Sequence, residues 1–128
     1  MRISSMVEQE FWKGYRLIEE ALSYSERKFA ASASIRYKAT EGIGKCFEAF
    51  DAAASEMCRK LGMNAIGKFD SKVLALAQRG ELAPQLASDV IDVMKQVQKA
   101  KRNKDWKMLY GMLVRVMEVL EAAFMAVS

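Results

Sequence analysis

Apolar residues recur at three- and four-residue intervals along nearly the whole chain, and no segment alternates apolar with polar as a half-buried strand would. Pro84 is the single proline, so glycines and short joints are the only other breaks in this pattern. A chain so patterned hides its apolar faces by packing helix on helix, which predicts an all-α fold. Its 128 residues, 52% of them hydrophobic, suit one domain over 1–128 with a core large enough to need no covalent staple.

Five helical segments are expected. The first runs from about Ser5 to Phe29, with Val7, Phe11, Tyr15, Ile18, Leu22 and Phe29 on one face and Trp12 off it. Ser4 or Ser5 can cap its start, and "AASAS" at 30–34 reads as a connection. The second runs from about Ile35 to Leu61 and stops at Gly62. Its stripe is Ile35, Ala39, Ile43, Cys46, Phe50, Ala53, Met57 and Leu61. Gly42 and Gly44 inside it each cost about 1 kcal/mol relative to Ala, which implies close packing against another backbone, at a helix crossing or a dimer contact. Residues 62–69 read as a loop, followed by a short helix from about Asp70, its expected cap, to Arg79.

The fourth segment opens at Pro84 and places Leu86, Val90, Val93, Val97 and Ala100 in a narrow arc. The fifth, about Lys104 to Ala126, is apolar over a wide arc that includes Trp106, Leu109, Met112, Leu113, Val116, Leu120 and Phe124. One neighbour cannot cover that arc, so this helix is either central or covered by a second copy. The expected architecture is a four- to five-helix bundle with two long antiparallel N-terminal helices, self-associating through the second or fifth helix. Met108, Met112, Val119 and Met125 are the interface candidates, although methionines also fill cores.

Much chemistry is excluded by residue type. The chain has no His, so neither a Ser-His-Asp nor a Cys-His arrangement can be built. Cys46 and Cys58 fall on one helix, roughly 18 Å apart, beyond the reach of a disulfide. They read as small core hydrophobes in a reducing cytoplasm. Glu41, Glu48 and Glu56 fall opposite or beside the apolar stripe, and without His they do not suggest a di-metal site. "EGIGK" at 41–45 sits within a periodic helix and not in a phosphate loop. No metal and no cofactor is expected. Glu8, Glu10 and Lys13 argue against a signal peptide, and Arg115, Glu118 and Glu121 interrupt the most apolar stretch, so no membrane span is expected either.

The charge is concentrated. Lys95, Lys99, Lys101, Arg102, Lys104 and Lys107 stand against Asp105 alone, whereas the whole chain carries only +4. The stretch "KAKRNKDWK" at 99–107 therefore holds the basic excess. Lys95, Lys99 and Arg102 lie opposite the apolar arc of their helix, as a solvated ridge. The six could contact the phosphates of RNA or single-stranded DNA, with Trp106 stacking on a base. They could equally complement the negative end of the helix, with Trp106 in the core.

A third reading comes from likeness. "FWKGYRLIEEALSYSE", "RYKATEGIGKCFEAFDAAASEMCRKLG", "RGELAPQLASDVIDVMKQ" and "KAKRNKDW" together resemble the HEPN family, helical bundles of prokaryotic toxins and nucleotidyltransferase partners, over roughly residues 8–124. That family carries an Arg-Asn pair near this junction and a His four to six residues after the Arg, which together form a ribonuclease site across a dimer. Arg102 and Asn103 match the pair, but residues 106–108 are Trp-Lys-Met. The resemblance thus implies dimerisation, partner binding and RNA contact, without RNA cleavage.

The functional expectation is a non-catalytic binding module for RNA or single-stranded DNA, acting as an accessory subunit of a nucleoprotein or toxin–antitoxin-like system. A protein–protein adaptor without nucleic-acid binding is the alternative. A degenerate ribonuclease is the only enzyme class left to consider.

Overall fold

A computed structural model of the chain describes residues 4–63 and 67–128. They form six helices and no strand: α1 (Ser5–Leu22), α2 (Glu26–Ala31), α3 (Ala33–Lys60), α4 (Phe69–Gln78), α5 (Pro84–Arg102) and α6 (Trp106–Val127). The all-helical class follows the periodicity, but the count exceeds the expected four or five because the first segment is broken.

The break lies in "SYS". The Ser23 hydroxyl donates to the Glu20 carbonyl at 2.6 Å, and Ser25 Oγ accepts the Lys28 N–H at 3.2 Å. Serine hydroxyls that bond nearby backbone give the chain an alternative to continuing the helix. The turn carries Phe29 onto α2, where it is fully buried against the Tyr110 ring at 5.2 Å. The expected "AASAS" connection contracts to Ser32 alone, whose Oγ accepts the Ile35 N–H and caps α3. Asp70 does not cap α4. That helix starts one residue earlier, after Lys68, without a side-chain cap. The expected loop at 62–69 falls partly outside the described residues.

α1 and α3 run antiparallel and form the most extensive helix pair. Glu10 meets Lys45 at 3.3 Å at one end, and Glu20 meets Lys38 at 3.3 Å toward the other. Between them the backbones touch at two glycines. A Cβ on Gly42 would lie 2.5 Å from the Gly14 carbonyl oxygen, and one on Gly14 would lie 2.6 Å from the Gly42 oxygen. The close approach expected at Gly42 is therefore a crossing within the chain. Gly44 has open space around its Cβ position and takes no part.

α6 packs on α1, α2, α3 and α5. Its central place accounts for the wide apolar arc. Phe124 stacks on Phe11 with centroids 4.2 Å apart and planes within 6°. Tyr15 reaches across from α1 to donate to Glu121 at 3.2 Å. α4 is tied to α3 by Lys72, whose ammonium lies 2.6 Å from Asp51 and 2.9 Å from the Ser55 hydroxyl. Buried residues from all six helices form one cluster.

The helix directions gather the end of α1, α2, the start of α3, the end of α5 and the start of α6 at one end of the bundle. Tyr110 marks the meeting point, since its hydroxyl donates to the Tyr24 carbonyl at 2.6 Å while its ring packs on Phe29.

Candidate nucleic-acid interface

The last turns of α5 bury Val97 and Ala100 and leave Lys99, Lys101 and Arg102 exposed. The buried pair holds the helix end on the core, so the cations necessarily face water. They also sit at the negative end of the helix dipole, which stabilises them there. The helix then closes with two reversed hydrogen bonds. The Lys104 N–H donates to the Lys101 carbonyl at 3.2 Å, and the Asp105 N–H donates to the Ala100 carbonyl at 2.9 Å. Lys104 occupies the left-handed region, with φ of 52°. Asp105 then starts α6, its Oδ1 accepting the Met108 N–H at 3.1 Å.

Among the described residues, Lys99, Lys101, Arg102, Lys104 and Lys107 are exposed and within ion-pair distance of no carboxylate. Lys95 differs. It stands two turns back along α5, roughly 10 Å, and its ammonium lies 3.9 Å from Asp70 on α4. The fold thus brings five of the six sequence-chosen cations to the α5–α6 turn and its flanks, and draws the sixth toward α4.

Trp106 is half-buried and packs against the core, so it is no free stacking platform. The guanidinium of Arg36 lies over its ring, 4.8 Å from the centroid. The same guanidinium donates to the carbonyls of Phe29 and Ala30 in the last turn of α2. Arg36 therefore ties α2, α3 and α6 together beside the basic turn, and adds its own charge there. Exposed Arg27 and Lys28 on α2 share this end of the bundle. No local pattern could have revealed Arg36, because it is seventy residues from its tryptophan. Only the packing of the start of α3 against the start of α6 joins them.

The interface candidates divide. Met112 is 8% exposed and belongs to the core. Met108 and Val119 are half-buried against it. Met125 is 61% exposed. The structure adds Val114, 54% exposed, eleven residues and about three turns before Met125 on the same face of α6. Beside it a groove of about 350 Å³ runs between α1 and α6, lined by Tyr15, Leu22, Val114 and Met117, with Glu19 and Glu118. Desolvation and the nearby Glu121 and Glu19 raise the Tyr15 phenol above its ordinary range.

Arg102 and Asn103, the pair shared with the HEPN pattern, sit at the very end of α5, and the Asn103 N–H is spent on the Lys99 carbonyl at 3.0 Å. Neither cysteine is set up as a nucleophile. Both are buried, and burial pushes the Cys46 thiol up to about 12. Glu41 and Glu48 are exposed, while the carboxylate of Glu56 is held by Arg59, which lowers its pKa. Among the described residues no three Cys, Asp or Glu side chains converge on a metal position, and no helix is long and apolar enough to cross a membrane.

Compared with protein-family models, with curated proteins and with solved structures, the chain matches none.

Proposed function

We propose that the chain is a non-catalytic binding module that holds RNA or single-stranded DNA by its phosphates at the basic end of the bundle. The observation that carries this reading is the clustering of Lys99, Lys101, Arg102, Lys104 and Lys107 without carboxylate partners among the described residues. Arg36, Arg27 and Lys28 supplement it from α2 and α3. In a chain of +4 overall, so much unpaired charge at one end makes a field that attracts a polyanion. Contacts of this kind position a strand without reading its sequence. The HEPN-like pattern favours the same ligand and extends the reading to a cytoplasmic, dimeric accessory subunit of a nucleoprotein or toxin–antitoxin-like system.

The test is fluorescence anisotropy with labelled single-stranded RNA and DNA. If all five cations neutralise phosphates, log K falls with log salt at a slope of about −3.5, so affinity drops about a hundredfold between 50 and 200 mM salt. The double substitution Lys99→Glu/Arg102→Glu removes most of the binding while the circular-dichroism spectrum stays helical. Absence of binding at low salt overturns the proposal.

A second reading rests on the α1–α6 groove with the exposed Val114 in its lining, and on the exposed Met125 further along the same face of α6, which suit a protein adaptor or dimer. Sedimentation velocity distinguishes it: Val114→Asp and Met125→Asp shift the oligomeric state if this face is covered, and leave it unchanged if it is not.

A further inference from the structure

Three helices of this protein end in the same hydrogen-bonded turn. At the end of α3, Gly62 donates to Arg59 at 3.1 Å and Met63 to Cys58 at 2.8 Å. At the end of α4, Gly80 donates to Ala77 at 3.1 Å and Glu81 to Leu76 at 3.0 Å. At the end of α5, Lys104 donates to Lys101 at 3.2 Å and Asp105 to Ala100 at 2.9 Å. This is the Schellman arrangement, and its turning residue must adopt positive φ. The values are 72° at Gly62, 79° at Gly80 and 52° at Lys104. Glycine takes that conformation freely, and a residue with a Cβ is disfavoured in it. Lys104 is the one non-glycine residue with positive φ among those described.

We propose that Lys104 stands at this position to present its ammonium to a phosphate of a bound single strand, so that the α5–α6 turn is the contact point of the basic end. This inference rests on the nucleic-acid reading above and goes further by naming the residue on which the turn depends. The two turn hydrogen bonds hold the backbone in this conformation, at a cost that glycine would not incur. Lys104 is exposed and within ion-pair distance of no carboxylate among the described residues. Its neighbour Asp105 is already engaged, with Oδ1 on the Met108 N–H. Backbone strain that the surrounding structure holds in place, beneath a charged side chain with no carboxylate partner, is a mark of a functional position. The turn also lies between two rigid supports. Val97 and Ala100 hold the end of α5 on the core, and Arg36 holds Trp106 at the start of α6. A lysine here stands on the turn itself, flanked by Lys101, Arg102 and Lys107.

The experiment compares wild type, Lys104→Gly, Lys104→Asn and Lys101→Ala by thermal melting, and by anisotropy with labelled oligouridine and oligothymidine at two salt concentrations. Lys104→Gly is expected to melt at a higher temperature than wild type, yet to bind several-fold more weakly with a salt slope shallower by about 0.7. Lys104→Asn, which keeps tolerance of the left-handed turn but loses the charge, binds as weakly as Lys104→Gly. Lys101→Ala weakens binding without raising the melting temperature. Loss of affinity on either strand supports the site, and the strand that loses more identifies the source of the phosphate. A Lys104→Gly protein that binds as wild type does overturns the proposal while leaving the basic-end reading intact. A Lys104→Gly protein that melts no higher removes the strain argument. Wild type that binds neither strand at low salt overturns the underlying reading as well.

Discussion

Gly42 and Gly44 lie two residues apart on α3 and are locally alike, yet replacing each by alanine should change stability in opposite directions. In both cases alanine gains about 1 kcal/mol of helix propensity. At Gly44 the new methyl meets nothing within 4 Å, so that gain is kept, and stability rises by about 0.5–1 kcal/mol. At Gly42 the methyl would lie 2.5 Å from the Gly14 carbonyl oxygen and 2.9 Å from Ile18 Cγ1. An ordinary carbon–oxygen contact needs close to another ångström, and the obstacle is backbone, which cannot rotate aside as a side chain can. α1 must move off α3 along their most extensive contact. Overpacking of this kind costs about 1–3 kcal/mol, and the upper part of that range applies because backbone is displaced. The net loss after the propensity gain is about 1–2 kcal/mol, or roughly 4–8 °C in melting temperature for a chain this size. Thermal and urea unfolding followed by circular dichroism reads both substitutions. A Gly42→Ala protein as stable as Gly44→Ala would refute the backbone contact, and with it the account of how the first two long helices cross.

Removing the aromatic stack with Phe124→Ala should destabilise by about 3–5 kcal/mol, since the ring is buried against Phe11 in the core; a loss under 1 kcal/mol in urea titration would contradict that packing. Met112→Asp should unfold the chain, whereas Met125→Asp should leave its melting temperature within a few degrees, because the first side chain is in the core and the second is 61% exposed. Cys46, raised to about 12 by burial, supports the folded state fully below the ordinary thiol pKa. That contribution is lost as pH rises from the thiol range toward 12, because the unfolded thiol ionises first. Alkaline denaturation should therefore begin later in Cys46→Ala than in wild type once each is referred to its stability at pH 7, and an identical pH dependence would show that this thiol does not contribute.

The helical class was legible because helical periodicity is local. Phe11, Ile18, Ile43, Phe50, Val90, Val97, Leu113 and Leu120 announce their buried faces through spacing alone, and all are in the core. The stops at Gly62 and Gly80 and the start at Pro84 were legible for a similar reason, since each is set by one residue's backbone. The basic ridge was legible because the charges alternate with the apolar arc of the same helix.

What depends on distant partners was not legible. Whether "SYS" continues a helix or turns is a close contest between serine hydroxyls and helix hydrogen bonds, and it is decided by Phe29 finding Tyr110 eighty-one residues away. Gly14 and Gly42 become a crossing only because α1 and α3 pack in the register that opposes them, and the same helix leaves Gly44 idle. Met112 and Met125 lie about 140° apart around α6, and the number of neighbours around that helix decides that its covered arc includes the first and stops short of the second. Arg36 reaches Trp106 only in the folded bundle. By itself the sequence determined where helices form and which face of each avoids water, because those follow from the repeat of one helix. Tertiary structure decided which faces meet, which glycines touch and which cations share an end, because those need two segments in one place.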